Sequence, residues 1–251
     1  MNKSKKTFEL VIIIPCYNEA QRLLSNKVKA FLPAYNNVCL VFVDDGSIDN
    51  TKDKLLELEE EYNRSVKTLL LKRNSGKAEA VRQGVQFALM HLSFAKIAYL
   101  DADFSTSLQE CYEISQQINR NVCFVFGSRI AKIDTEIERK AFRFLVGRFI
   151  ATLISMQLHI KVYDTQCGCK VFTEEIAKNV FQESFISRWL FDVEIFHRIA
   201  HLKGLKNMKH IAREYPLKQW IDTDDSRVKF TYLFKLGYDL LTIRNKYKIS
   251  T

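Results

Sequence analysis

Two carboxylates one residue apart, Asp101 and Asp103, close the run Lys96-Ile97-Ala98-Tyr99-Leu100-Asp101-Ala102-Asp103. The run reads as a short apolar strand. Alternate side chains of an extended chain share a face, so both acids are expected on one side of a sheet edge. Two such charges repel unless a cation lies between them. Hard oxygen ligands suit Mg2+ or Mn2+, and a diphosphate arriving with the metal would complete its coordination. The competing reading of the same residues is an acidic turn that caps the next helix.

The elements that must hold this pair are legible upstream. Phe8 to Ile14, Val38 to Val43, Val66 to Leu71 and Ile97 to Leu100 are apolar runs rich in β-branched residues, as strands buried on both faces are. Helical patterns follow the first three, through about Ala34, Tyr62 and His91. Strand, loop and helix in repetition predict right-handed βαβ units and an α/β fold with a mainly parallel sheet. Ligands of such sheets bind beyond the carboxyl ends of the strands. Pro15–Glu19, Asp44–Ser47, Lys72–Lys77 and Asp101–Asp103 all fall there. Together they suit a nucleoside diphosphate. Asp44 and Asp45 can accept from a base N–H or ribose hydroxyls. Lys77 opens a helix, where backbone N–H groups also favour anions. Neither the glycine pattern of a dinucleotide fold nor that of a P-loop is present.

The totals fit one large domain. The chain has 251 residues and a formal charge of +9, which suits a polyanionic partner. Most of the six cysteines sit in apolar runs, and Cys167-x-Cys169 is too tight for zinc-ligand spacing, so a reducing, cytoplasmic setting is expected. No stretch reaches the roughly 18 apolar residues of a membrane span. His197 and His201 stand at a zinc-compatible spacing but without an accompanying glutamate, which favours core or surface histidines.

The ordered set Ile12-Ile13-Ile14-Pro15-Cys16-Tyr17-Asn18-Glu19, Val43-Asp44-Asp45-Gly46-Ser47, Asn74-Ser75-Gly76-Lys77 and Asp101-Ala102-Asp103 resembles the inverting family-2 glycosyltransferases of GT-A fold. Further motifs narrow the likeness. Asp164-Thr165-Gln166-Cys167-Gly168-Cys169-Lys170-Val171-Phe172, Arg188-Trp189-Leu190-Phe191-Asp192-Val193-Glu194 and Glu214-Tyr215-Pro216 with Trp220 are similar to dolichyl-phosphate β-glucosyltransferases and bacterial polyprenyl-phosphate relatives. The chain departs from them at Cys169, where an aromatic is usual, and at Asp225-Ser226-Arg227 in place of Gly-Ser-Lys.

The resemblance implies a hexose, glucose first, moved from a UDP-sugar (a GDP-sugar second) to a polyprenyl phosphate. Asp101 and Asp103 would hold the metal. Pro15, Tyr17, Glu19, Asp44, Asp45, Gly76 and Lys77 would bind the donor. Asp164 and Asp192 would stand near the reaction centre. A phosphate monoester has its second pKa near 6, so the acceptor is already an anion and needs cations more than a base. Arg129 and Arg227 are the candidates to receive it, with Arg139 and Arg143 behind them. A family-2 enzyme that extends a glycan would instead need Asp192 as base. A silent nucleotide-sugar sensor and a nucleic-acid-binding module are the rivals outside this chemistry. The dispersed basic residues, without an aromatic platform, speak against nucleic acid as a partner.

The expected organisation is a nucleotide-sugar-binding half at 1–126, an acceptor half at 127–227 and a C-terminal amphipathic helix at 228–251. A long helix is expected over Glu136 to Leu158, with Arg139, Lys140, Arg143 and Arg148 beside apolar residues. It and the C-terminal helix would touch the cytoplasmic face of a membrane peripherally. For the first helix, charges that merely face water are an equal expectation, and for the C-terminal helix, docking on the protein's own core or a partner is. The sequence leaves the oligomeric state open.

Overall fold

Alternation along the first apolar run builds both cores. The run forms β1 (Thr7–Cys16). Its Val11 and Ile13 pack on one face of the sheet, and its Leu10, Ile12 and Ile14 on the other. β2 (Val38–Asp44) is buried throughout and alternates in the same way. The computed structural model describes residues 7–23, 25–130, 136–138, 151–157, 160–221 and 232–247.

β3 (Val66–Leu70), β4 (Ser93–Leu100), β5 (Phe124–Ser128), β7 (Cys169–Thr173) and β8 (Ala212–Pro216) complete a seven-stranded sheet of order β3-β2-β1-β4-β7-β5-β8. Among the described residues β7 runs antiparallel to both its neighbours, and the other adjacent pairs are parallel. A separate two-stranded pair joins β6 (Glu136–Glu138) to β9 (Gln219–Ile221). The expected division at 126/127 falls inside β5, and β7 from the second half inserts between β4 and β5.

Helices cover both faces. α1 (Ser25–Phe31), α2 (Thr51–Glu61) and α4 (Leu108–Ser115) cover the face of Leu10, Ile12 and Ile14. α3 (Lys77–His91), α5 at 151–157, α6 (Glu174–Val180), α7 (Phe191–Lys203) and α9 (Tyr232–Lys246) contribute to the opposite core, as does Met208 of α8 (Met208–Ile211). Among the described residues, side chains cap the starts of α4 and α6: Ser107 accepts from the Glu110 N–H and Thr173 from the Ile176 N–H.

The continuous helix expected over Glu136 to Leu158 is corrected at its first three residues, which form a strand. Glu136-Ile137-Glu138 alternates polar and apolar and pairs with β9 in the register Ile137↔Trp220. Residues 151–157, α5, are helical as expected. Arg139, Lys140, Arg143 and Arg148 lie outside the described residues, as do Asp225, Ser226 and Arg227. The helix expected to reach Ala34 ends at Phe31.

Candidate active site

Because β1, β2, β3 and β4 are adjacent and parallel, the loops that leave them emerge along one edge. Backbone and side-chain hydrogen bonds stitch the first two loops together. Asp45 N donates to Cys16 O at 2.8 Å, Asn18 N to Ser47 Oγ at 3.0 Å and Glu19 N to Thr51 Oγ1 at 2.7 Å. The Glu19 carboxylate takes Arg22 Nε at 3.0 Å and Nη2 at 2.8 Å, so it anchors this loop. Tyr17 and Pro15 are half-buried beside it.

The adjacent acids divide their work. Asp45 accepts from Ser75 N at 2.8 Å and Gly76 N at 2.7 Å, which ties the third loop to the second. Burial raises its carboxyl above the ordinary range, against the pull of those two N–H groups. Asp44 is also buried and receives the Ser47 N–H at 3.3 Å.

At the end of β4, Asp101 Oδ1 lies 2.5 Å from Lys77 Nζ, and each side chain is 38% exposed. The chain segment before β7 presses on this carboxylate. Asp101 N donates to Gly168 O at 3.1 Å, and a Cβ built on Gly168 would lie 2.0 Å from Asp101 Oδ2. Any side chain at 168 would displace the acid. Burial, with the charges of Asp103 and Asp192, raises the Asp101 carboxyl despite Lys77. Burial alone would lower Lys77, but Asp101, Asp192 and Asp103 hold its ammonium above the ordinary range. Asp103 Oδ1 receives Ser105 N at 2.9 Å. Asp103 also borders an open cavity of about 480 Å3, with Lys27, Ser107, Glu110 and Lys218 on its walls.

The two acids suit a divalent cation in part. Both offer hard carboxylate oxygens, and in this structure the Lys77 ammonium is the cation that meets Asp101 Oδ1. No cluster of three acidic, cysteine or histidine side chains forms a complete cage among the described residues. A metal here would draw its remaining ligands from a bound phosphate or water.

The antiparallel run of β7 brings the second half of the site to the same edge, since Leu100 pairs with Cys169. Asp164 is gripped by Arg129, with Nε to Oδ2 at 2.6 Å and Nη2 to Oδ1 at 2.9 Å. The guanidinium lies over Trp220 at 5.0 Å, and Glu214 Oε1 takes the Asp164 N–H at 2.8 Å. Desolvation works against the charge on Arg129, yet Asp164 keeps it firmly protonated. Asp192, in the first turn of α7, is buried. Its Oδ1 receives both the Tyr99 hydroxyl and Lys170 Nζ, the latter at 2.5 Å. Lys170 is fully buried and also donates to Cys167 O at 2.7 Å.

Asp192 and Glu194 face different ways, as their spacing on a helix requires. Glu194 takes Ile186 N at 2.8 Å, Arg198 Nη2 at 2.8 Å and the Tyr247 hydroxyl at 2.9 Å. His197 is buried with neither ring nitrogen hydrogen-bonded, while His201 lies exposed with its ring edge-on to Tyr247. Burial and then Arg244 lower His197 to about 4, so it is neutral near pH 7. The site thus gathers Asp101, Asp103, Lys77, Asp192, Asp164 and Arg129 on one edge, beside the loops of Pro15, Tyr17, Glu19, Asp44, Asp45 and Gly76. Tyr99 and Lys170 were not foreseen as site residues. A tyrosine inside an apolar strand reads as core, and only Lys170's place within the Asp164–Phe172 motif pointed to it.

The sequence model for "Glycosyl transferase family 2" matches residues 11–181, from β1 to just past the end of α6. The chain belongs to glycosyltransferase family 2. As a family-2 glycosyltransferase it is an enzyme, and its resemblance to dolichyl-phosphate β-glucosyltransferases holds over nearly its whole length. It is 29% identical to the human protein of that name over 260 residues, 96% of this chain and 76% of the human one. It is 29% identical to the Dictyostelium discoideum protein, over 95% of this chain and 74% of that one. The Saccharomyces cerevisiae protein is 27% identical over 95% and 75%. Among solved structures, the glucosyl-3-phosphoglycerate synthase of Mycobacterium tuberculosis superposes with a TM-score of 0.67, covering 97% of this chain and 81% of that one at 13% identity. That structure holds Mn2+, UDP and glucosyl-3-phosphoglycerate. The likeness establishes the GT-A fold for this family-2 chain.

Proposed function

We propose that the enzyme moves glucose from UDP-glucose to a polyprenyl phosphate, with inversion at the anomeric carbon. The observation that carries this reading is the convergence of Asp101, Asp103 and Lys77 with Asp164 and Asp192 on one sheet edge. The names of the relatives support the choice of donor and acceptor.

A leaving nucleoside diphosphate needs its negative charge met. Mg2+ or Mn2+ held by Asp101 and Asp103 would supply that neutralisation when bound. Lys77 stands in contact with Asp101 and offers a second cation to the phosphates. Asp45 fixes the Ser75–Gly76 backbone, so the segment that presents Lys77 is set before the donor arrives. Asp44 and the interlocked Pro15–Glu19 loop line the nucleoside side. A phosphate acceptor is ionised at neutral pH, so the transfer needs orientation more than proton removal. Asp192 suits that role, because Tyr99 and Lys170 fix its carboxylate through Oδ1. Arg129 takes its position from Asp164 and reaches the acceptor phosphate only as part of that pair, with Arg227 the other candidate.

The acceptor is a lipid, so the enzyme works at a membrane surface, and we place it on the cytoplasmic side. No described helix is long and apolar enough to cross a membrane. α9 docks on the core through Leu240 and Ile243 yet leaves Tyr238 72% and Leu241 56% exposed, with Arg244 and Lys246 alongside. That mixture suits contact with anionic lipid.

The test is incubation with a panel of UDP- and GDP-sugars, Mg2+ or Mn2+, and a short polyprenyl phosphate, with products weighed by mass spectrometry. One hexose added to the lipid phosphate from UDP-glucose is expected. Transfer only to a glycan hydroxyl would refute the acceptor assignment.

A further inference from the structure

The loop that leads into α7 is held unusually firmly, and what it presents is an arginine. Ser187 Oγ donates to the buried Asp239 of α9 at 2.6 Å and accepts from Trp189 N at 3.3 Å and Leu190 N at 3.1 Å. Ile186 N is fixed by Glu194. The buried Arg198 donates to the carbonyls of Val180 at 2.6 Å, Glu183 at 2.8 Å and Ser184 at 2.7 Å, with its guanidinium over Phe185 at 4.2 Å. Between these anchors Arg188 is exposed.

The Arg188 stem leans on the donor loop. Gly76 has φ +93°, and a Cβ built there would lie 3.3 Å from Arg188 Cδ and 3.6 Å from its Nε. The absence of a side chain at 76 is what lets the arginine settle against the residue before Lys77. Arg188 acts on Asp45 through space, but its guanidinium makes no hydrogen bond or ion pair among the described residues. Arg129 differs, being bidentate with Asp164.

We infer that Arg188 is a phosphate-binding residue of the donor site, placed by the buried Ser187–Asp239 and Glu194–Arg198 contacts to meet the nucleoside diphosphate beside Lys77. This rests on the donor reading above and adds to it a residue and a purpose for α9. A guanidinium fork matches phosphate oxygens, and a rigid loop reduces the entropy lost on binding.

The experiment is calorimetric titration of the full chain with UDP and with uridine at fixed Mn2+. Arg188→Ala should weaken UDP about tenfold to a hundredfold and leave uridine within about twofold. Arg188→Lys should recover part of the loss, and Ser187→Ala should reproduce part of it. Equal losses for UDP and uridine would mean that Arg188 only supports the Asp45 loop, and would overturn the inference. So would an unchanged UDP affinity with a raised KM for the lipid phosphate, which would place Arg188 on the acceptor side. If the wild-type protein itself binds UDP no better than uridine, the donor reading fails first, and that outcome is separable from the failure of Arg188 alone.

Discussion

Arg129 and Asp164 form the pair whose disruption separates structure from catalysis most clearly. The side chains are 16% and 6% exposed, and the contact is bidentate. Removing one partner strands the other charge in a desolvated place. Arg129→Ala is therefore expected to cost about 3–5 kcal/mol of stability in urea unfolding. The double change with Asp164→Ala should cost much less than the sum of the two. Additive losses would show that the two groups do not act as a pair. His197 gives a second test at this scale. Its folded pKa, about 4, lies below the ordinary 6.5 because burial and Arg244 disfavour the charged ring. A depressed histidine contributes its full stability above pH 6.5 and loses it as pH falls towards 4. The loss amounts to about 3 kcal/mol. His197→Leu should flatten the stability profile over that window. An unchanged profile would assign the acid sensitivity to other groups.

At the scale of elements, the first four strands and α3 were legible because each strand is a short, uninterrupted apolar run followed by a polar turn. β7 was harder. It is five residues long, carries the buried Lys170, and its antiparallel direction is set by pairing with β4 and β5 rather than by local pattern. Glu136–Glu138 misled because apolar residues at three-and-four spacing further along suggest a helix. The three residues of β6 alternate and find a partner only 83 residues later, in β9. Glu194 and Asp192 were separable from sequence, since their spacing on a helix fixes opposite directions. Tyr99 was not, because its hydroxyl's partner sits on a helix almost a hundred residues away. α9 docks on the core on one side and leaves an exposed apolar and basic face on the other, the face proposed to meet lipid. Tyr238→Ser with Leu241→Ser should therefore leave the melting temperature within about 2 °C, as exposed positions do. The same variant should bind less to vesicles containing anionic lipid in a sedimentation assay. Undiminished binding would move the membrane contact to another face.

At the scale of the molecule, the sheet order explains why residues from Pro15 to Asp192 meet. Parallel β1 to β4 deliver four loops to one edge, and reversed β7 returns the chain to that edge from the second half. The edge carries both signs of charge close together: Asp101, Asp103 and Asp192 face Lys77 and Lys170. Such a surface is poised for a ligand that brings anion and cation together, as a metal–nucleotide complex does. Thermal unfolding with UDP, with and without Mn2+, tests this most directly, in the wild type and in Asp103→Asn. At a UDP concentration a hundredfold above its Kd, the wild-type protein should gain about 2.7 kcal/mol, seen as a rise of roughly 5–10 °C, only when Mn2+ is present. Asp103→Asn, melting like the wild type without ligand, should lose that rise. A full UDP shift without metal, or one that survives in Asp103→Asn, would contradict the role given to the acidic pair.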